Sequence, residues 1–134
     1  MAELGTEVRL DCPFETAIDR TTAALGEAGF GIISRIDLDK AFREKLGVSF
    51  RRYTILGACN PALAHRAVSA VPEMGLLLPC NVTVEETDGG SLVRIVDAAV
   101  MLGAGGLGSR PEIAALATDA GERLARVART LAAG

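Results

Sequence analysis

Along residues 6–12, TEVRLDC, apolar and polar positions alternate, with Val8, Leu10 and Cys12 on one side. A repeat of two marks a strand with one buried face. After Pro13 the repeat changes, and Phe14, Ala17, Ile18, Thr21, Leu25 and Ala28 recur at spacings of three and four. That spacing puts them on one face of a helix, with Pro13 suited to its first turn and Gly29 to its end. A second strand is predicted over 30–36, FGIISRI. Asp37 then suits the N-cap of a short helix carrying Leu38, Phe42 and Leu46 at i, i+4 and i+8, closed by Gly47.

Residues 50–58, FRRYTILGA, predict a third strand. Asn60 and Pro61 offer a cap and a first helical residue for a third helix. Its buried side is expected to hold Leu63, Ala64, Ala67, Val68 and Val71 before Pro72 stops it. Residues 75–85, GLLLPCNVTVE, read as a fourth strand, at a sheet edge or bent at Pro79, because proline cannot donate to a ladder. Asp88-Gly89-Gly90-Ser91 turns the chain into a fifth strand over 92–97. A glycine-rich run, LGAGGLGSR, leads to the last helix. There Ile113, Leu116, Ala117, Ala120, Leu124, Val127, Ala128 and Leu131 share a face, acids lie early and arginines late, as the helix dipole favours. The order β-α-β-α-β-α-β-β-α predicts an α+β two-layer sandwich. Its mostly antiparallel five-stranded sheet would carry the helices packed on one face, in a single domain over residues 1–134.

Composition narrows the function classes. Of 134 residues, 49% are apolar and 23% charged, an ordinary globular balance. Tryptophan is absent and aromatics reach only 4%, so aliphatic residues and alanine must fill the core and a base-stacking surface is not expected. The net charge of −3 carries no basic stripe, so no nucleic acid partner is expected. The one basic cluster, Arg43, Lys45, Arg51 and Arg52, reads as a solvated face. The N-terminal residues show no signal-peptide core, and no run approaches the roughly 18 apolar residues of a membrane span. The expectation is a cytoplasmic chain, away from membranes, with its three cysteines as free thiols.

Candidate chemistry gathers where the pair Cys-Asn is repeated, in CNP at 59–61 and PCN at 79–81. Cys59 immediately precedes a helix cap, where the dipole favours a thiolate or an anion. Cys80 follows Pro79. If the third and fourth strands are neighbours, the two thiols approach each other. Three roles compete: small core side chains, the wall of a ligand or metal pocket, and a redox pair. No CxxC motif supports a thioredoxin-type or zinc-knuckle site. A structural zinc ion wants four ligands, and the chain offers three cysteines and one histidine. Cys59, Cys80, His65 and a carboxylate such as Asp37 could form a set, although His65 sits past the helix cap and can point away. A soft ion such as Cu(I) could use two thiolates alone. Asn60 suits a helix cap. Asn81, in an apolar strand, needs partners for its amide, and both asparagines could donate to a ligand. Gly103, Gly105 and Gly108 spell GxGxxG, but no strand follows the last helix, so no nucleotide cofactor is expected. One histidine and no GxSxG leave no hydrolase triad.

The segments GFGIISRIDL (29–38), LGACNPALAHRA (56–67) and GLLLPCNVTV (75–84) resemble the DUF302 family. The resemblance implies a small α+β sandwich that tends to form homodimers and has no established activity. Members carry Asp-Pro after the last strand, where this chain has Asp97-Ala98, and Cys12 matches no family motif. The residues therefore point to a domain binding a small ligand or metal through Cys59, Asn60, Cys80, Asn81 and Asp37. A thiol enzyme with Cys59 attacking and Cys80 resolving, or a dimeric interaction module with structural cysteines, are the alternatives.

Overall fold

Strand propensity and alternation give β1 (Gly5–Leu10), β2 (Gly31–Asp37), β3 (Tyr53–Cys59), β4 (Cys80–Thr87) and β5 (Gly90–Val96) in a computed structural model that describes residues 4–134. Residues 1–3, the start of the segment read for a signal sequence, lie outside the described residues. The strands form one sheet in the order β1-β5-β4-β3-β2, with every neighbouring pair antiparallel. The helices are α1 (Phe14–Glu27), α2 (Leu38–Leu46), α3 (Pro61–Ala70), α4 (Ala98–Leu102) and α5 (Pro111–Ala133). The architecture is an α+β two-layer sandwich. Among the described residues no helix is long and apolar enough to cross a membrane.

Alternation decides which face of the sheet is covered. Val82 and Val84 on the central strand β4 are fully buried, flanked by Leu56 on β3 and by Val93 and Ile95 on β5. Helix α1 brings Ala17 and Leu25 onto this face, and α5 brings Ile113, Leu124 and Val127. The side chains are aliphatic and small, as the scarcity of aromatics requires.

An ion network runs across the opposite face. Arg94 Nε donates to Glu7 Oε2 at 2.9 Å, and Arg94 Nη1 donates to Glu85 Oε1 at 2.6 Å. Arg51 donates to the other Glu85 oxygen. Burial opposes the charge on Glu85, but Arg94 and Arg51 outweigh it and hold the carboxyl below its ordinary value.

Several expectations are corrected here. Residues 75–79 are not strand: Pro72–Leu77 form a 3₁₀ turn, and β4 begins only at Cys80. Pro79 thus stands outside the ladder, which lets β4 take the centre of the sheet rather than an edge. Cys12 lies beyond β1, and β3 starts at Tyr53 rather than at residue 50. The stripe expected on α2 does not enter the main core. Leu46 is 69% exposed, and Phe42 instead meets Phe50 edge-on at a centroid distance of 5.3 Å. Val68, expected inside, is 41% exposed, since α3 turns only Leu63 and Ala67 fully inward. Ahead of the glycine run the chain forms the short helix α4, capped by Asp97, whose Oδ1 accepts from the Val100 N–H at 3.0 Å. Asp97 thus caps with an alanine, Ala98, rather than a proline after it.

Replacing Glu85 with Gln is expected to cost about 1–2 kcal/mol at neutral pH, because it strips the charge from two part-buried hydrogen bonds. A carboxyl held below its ordinary value stabilises the fold above the unfolded pKa and loses that contribution as pH falls through the lower folded value. The difference between wild type and Glu85→Gln in urea unfolding should therefore close as pH drops through the acidic range. A gap that stays constant down to the lowest pH would contradict this assignment.

Candidate functional site

The β3–β4 pairing brings the two Cys-Asn motifs together. Ala58 stands opposite Cys80, and Gly57 opposite Asn81. Gly57 is required there, since a Cβ would meet Ser34 Oγ and stand 2.8 Å from Pro79 Cγ. Beyond Ala58 the chain passes through Cys59 to Asn60, which caps α3 as its spacing to Pro61 suggests. Asn60 Oδ1 accepts from the Leu63 N–H at 3.1 Å, and Pro61 takes the first helical position.

Between these strand ends and helices α3, α4 and α5 lies a cavity of about 260 Å³. Cys59, Asn60 and Cys80 all face it. Most of the rest of its wall is apolar: Phe30 before β2, Leu63 from α3, Leu78, Met101 and Leu102 from α4, and Leu116 from α5. Cys59 is half-buried, whereas Cys80 is only 7% exposed. Burial and then the neighbouring charge of Cys59 push the Cys80 thiol up to about 11. At neutral pH Cys80 is thus a protonated, weakly polar side chain.

The other candidate residues lie elsewhere. Side chains on a strand alternate, so Asn81 projects to the open face. It is exposed there beside Tyr53, Thr83 and Arg94. His65 is exposed on α3 and does not line the cavity. Asp37 occupies the N-cap position of α2 but its side chain caps nothing. It accepts instead from the Thr54 hydroxyl at 2.7 Å and from Arg35 Nε at 3.1 Å, well away from the cavity. The Thr54 bond leads the effects that lower its pKa. The set Cys59, Cys80, His65 and Asp37 therefore does not converge. Among the described residues no group of three or more His, Cys, Asp or Glu side chains is placed to hold a metal ion.

Cys12 sits apart, with Arg20 Nη1 3.7 Å from its sulfur. It borders a wider groove of about 850 Å³ beside the β4–β5 turn. The arginines of that groove are already engaged: Arg51 with Glu85, and Arg52 with Glu15 while lying over the Phe14 ring at 4.3 Å. Sequence reasoning missed Phe30, Met101, Leu102 and Leu116 as site residues. Their apolar spacing is that of any core position, so nothing local distinguishes a cavity wall from a filled interior.

The family model described as "Domain of unknown function DUF302" matches residues 6–131. A crystal structure of an uncharacterized conserved DUF302 protein from Bacillus stearothermophilus shares the fold, with a TM-score of 0.84 at 24% sequence identity. The similarity covers 97% of this chain and 99% of that one. No curated protein matches the chain.

The environment of Cys80 predicts slow alkylation. Iodoacetamide at neutral pH should modify Cys80 at least about 10-fold more slowly than it does in the urea-unfolded chain, and the folded rate should climb only toward pH 11. Peptide mass spectrometry resolves the three thiols. A Cys80 that reacts as fast folded as unfolded would refute the buried, neutral thiol.

Proposed function

The chain belongs to the DUF302 family, and because that membership carries no reaction with it, we propose a function from the cavity: this domain binds a small apolar molecule between the CNP and LPC segments. The observation that carries the reading is a wall that is almost wholly apolar, of ligand scale, and broken by only a few polar groups, among them Asn60 and the two thiols. Alanines at 58, 64, 67 and 120 line the space without filling it.

The alternatives fare less well. A structural zinc ion would need more donors than the two thiols that share this wall, and a two-thiolate Cu(I) site would need Cys80 deprotonated, which its burial opposes. A redox pair would need Cys80 to attack as a thiolate, and its burial opposes that. A second reading, a homodimer, draws support from the unpaired outer edge of β2, where Ile33 and Ile36 are 64% and 49% exposed. If a second copy covers that edge, Ile36→Lys should convert a dimer to a monomer in sedimentation. A wild-type monomer at high concentration, or a dimer indifferent to the substitution, would eliminate it.

The neutral dye N-phenyl-1-naphthylamine tests the cavity. It should bind saturably with one site per chain and slow the alkylation of Cys59. Ala64→Leu, which places a larger side chain into the space from a half-buried position, should weaken it by about 10-fold or more. Dye binding that ignores this substitution, in a variant that melts like wild type, would count against the cavity as its site.

A further inference from the structure

We propose that the occupant is an amphiphilic carboxylate, its apolar body in the cavity and its head held by Asn60 and Arg123 beside Gly29; this rests on the cavity being the binding site. Asn60 is the cavity's one carboxamide. Its oxygen is spent on the Leu63 N–H, which fixes the amide orientation and leaves Nδ2 as a donor. Among the described residues that donor has no acceptor.

Arg123 of α5 does not line the cavity itself but comes beside Asn60 at its rim, next to Gly29. Its Nε donates to Asp119 Oδ1 at 2.8 Å and its Nη1 to the Ala28 carbonyl at 3.0 Å, leaving Nη2 free among the described residues. Gly29 marks where the two side chains meet. It has φ of +90°, and a Cβ there would stand 2.9 Å from both Arg123 Nη1 and Asn60 Nδ2. A Cβ would crowd both nitrogens, and two donors from different elements border the corner: Asn60 Nδ2, and Arg123 Nη1, which carries a second N–H besides the one given to the Ala28 carbonyl.

The charge balance favours an anion. Asp119 is flanked by Arg123 and by Arg66 of α3, whose Nη1 lies 3.9 Å from Asp119 Oδ2. Two guanidinium groups against one carboxylate leave a positive excess at this corner of a chain whose net charge is −3. A carboxylate accepts from several donors at once and pairs with the edge of a guanidinium. A cationic or wholly apolar occupant would leave both donors unused.

Octanoate and 1-octanol share an alkyl chain and differ at the head. Each is titrated by calorimetry and in competition with N-phenyl-1-naphthylamine at neutral pH. Octanoate should bind about 10-fold more tightly than 1-octanol. Asn60→Asp keeps the helix cap but replaces the donor with a negative charge, so octanoate should lose its advantage while 1-octanol is unaffected. Arg123→Gln should reduce the advantage in the same direction. If 1-octanol equals or exceeds octanoate, or if both variants keep the octanoate advantage, the head-group assignment is overturned. Dye binding without octanoate binding overturns the head group and leaves the cavity reading intact; binding of neither dye nor alkyl ligands overturns both.

Discussion

The pairing of β3 with β4, in the register that sets Ala58 against Cys80, is the constraint on which the rest of the structure depends. A slip of one residue would exchange the two faces of a strand. It would turn Val82 and Val84 out of the core, send Cys80 to the open face and bring Asn81 inward. The alternation of Thr54, Leu56 and Ala58 on one strand with Cys80, Val82 and Val84 on the other opposes such a slip, because all six are buried. Gly57 adds a local requirement by admitting the Pro79 ring beside the strand. The same contact steers the chain out of the 3₁₀ turn and into the sheet at Cys80. Core packing and site geometry thus follow from one choice of register.

The cavity is a consequence of how this core is filled. Close packing usually leaves few voids larger than a water molecule, and an apolar void costs stability in proportion to its volume. Alanines on β3, α3 and α5 face a space that larger aliphatic residues would close. Water gains little there, since it needs two or more polar partners and the wall offers few. An apolar occupant would restore the missing dispersion contacts without burying an unpaired polar group. The short helix α4 completes the enclosure through Met101 and Leu102, so the segment beyond β5 is part of the wall rather than a plain connection.

Much of this fold was legible because local pattern and tertiary packing agree. The long apolar face of α5 is buried at Ile113, Leu116, Ala120, Leu124, Val127 and Leu131, as its spacing requires. The Asn60-Pro61 helix start and the β4–β5 turn also stand where their residues place them. The departures arise where pattern and environment part. Leu76, Leu77 and Leu78 look like strand, but Pro72 and Pro79 bound them and the chain coils into a 3₁₀ turn. Leu46 completes a stripe on α2 that has little sheet to cover. Asp37 has the identity of a cap, yet the Thr54 hydroxyl and Arg35 offer its carboxylate better partners. Asn81 shares its motif with Cys80, but neighbours in sequence on a strand point to opposite faces. The repeated Cys-Asn pair therefore marks the place of the site while overstating its membership.

The electrostatics separate the two sides of the molecule into different roles. On the open face Glu7, Glu85, Arg51 and Arg94 balance one another, so this network spends its charges on holding three strands and the segment before β3 together. At the cavity the arrangement is unequal: a neutral buried thiol and apolar walls lie inside, and beside its rim at Asn60 two arginines face one carboxylate near Gly29. A thiol catalyst would require the reverse, a stabilising charge beside the sulfur and an apolar surface farther out. Burial acting against the Cys80 thiolate, with donors around Asn60 and Arg123, thus supports the proposed recognition of a shape with one polar end over thiol chemistry.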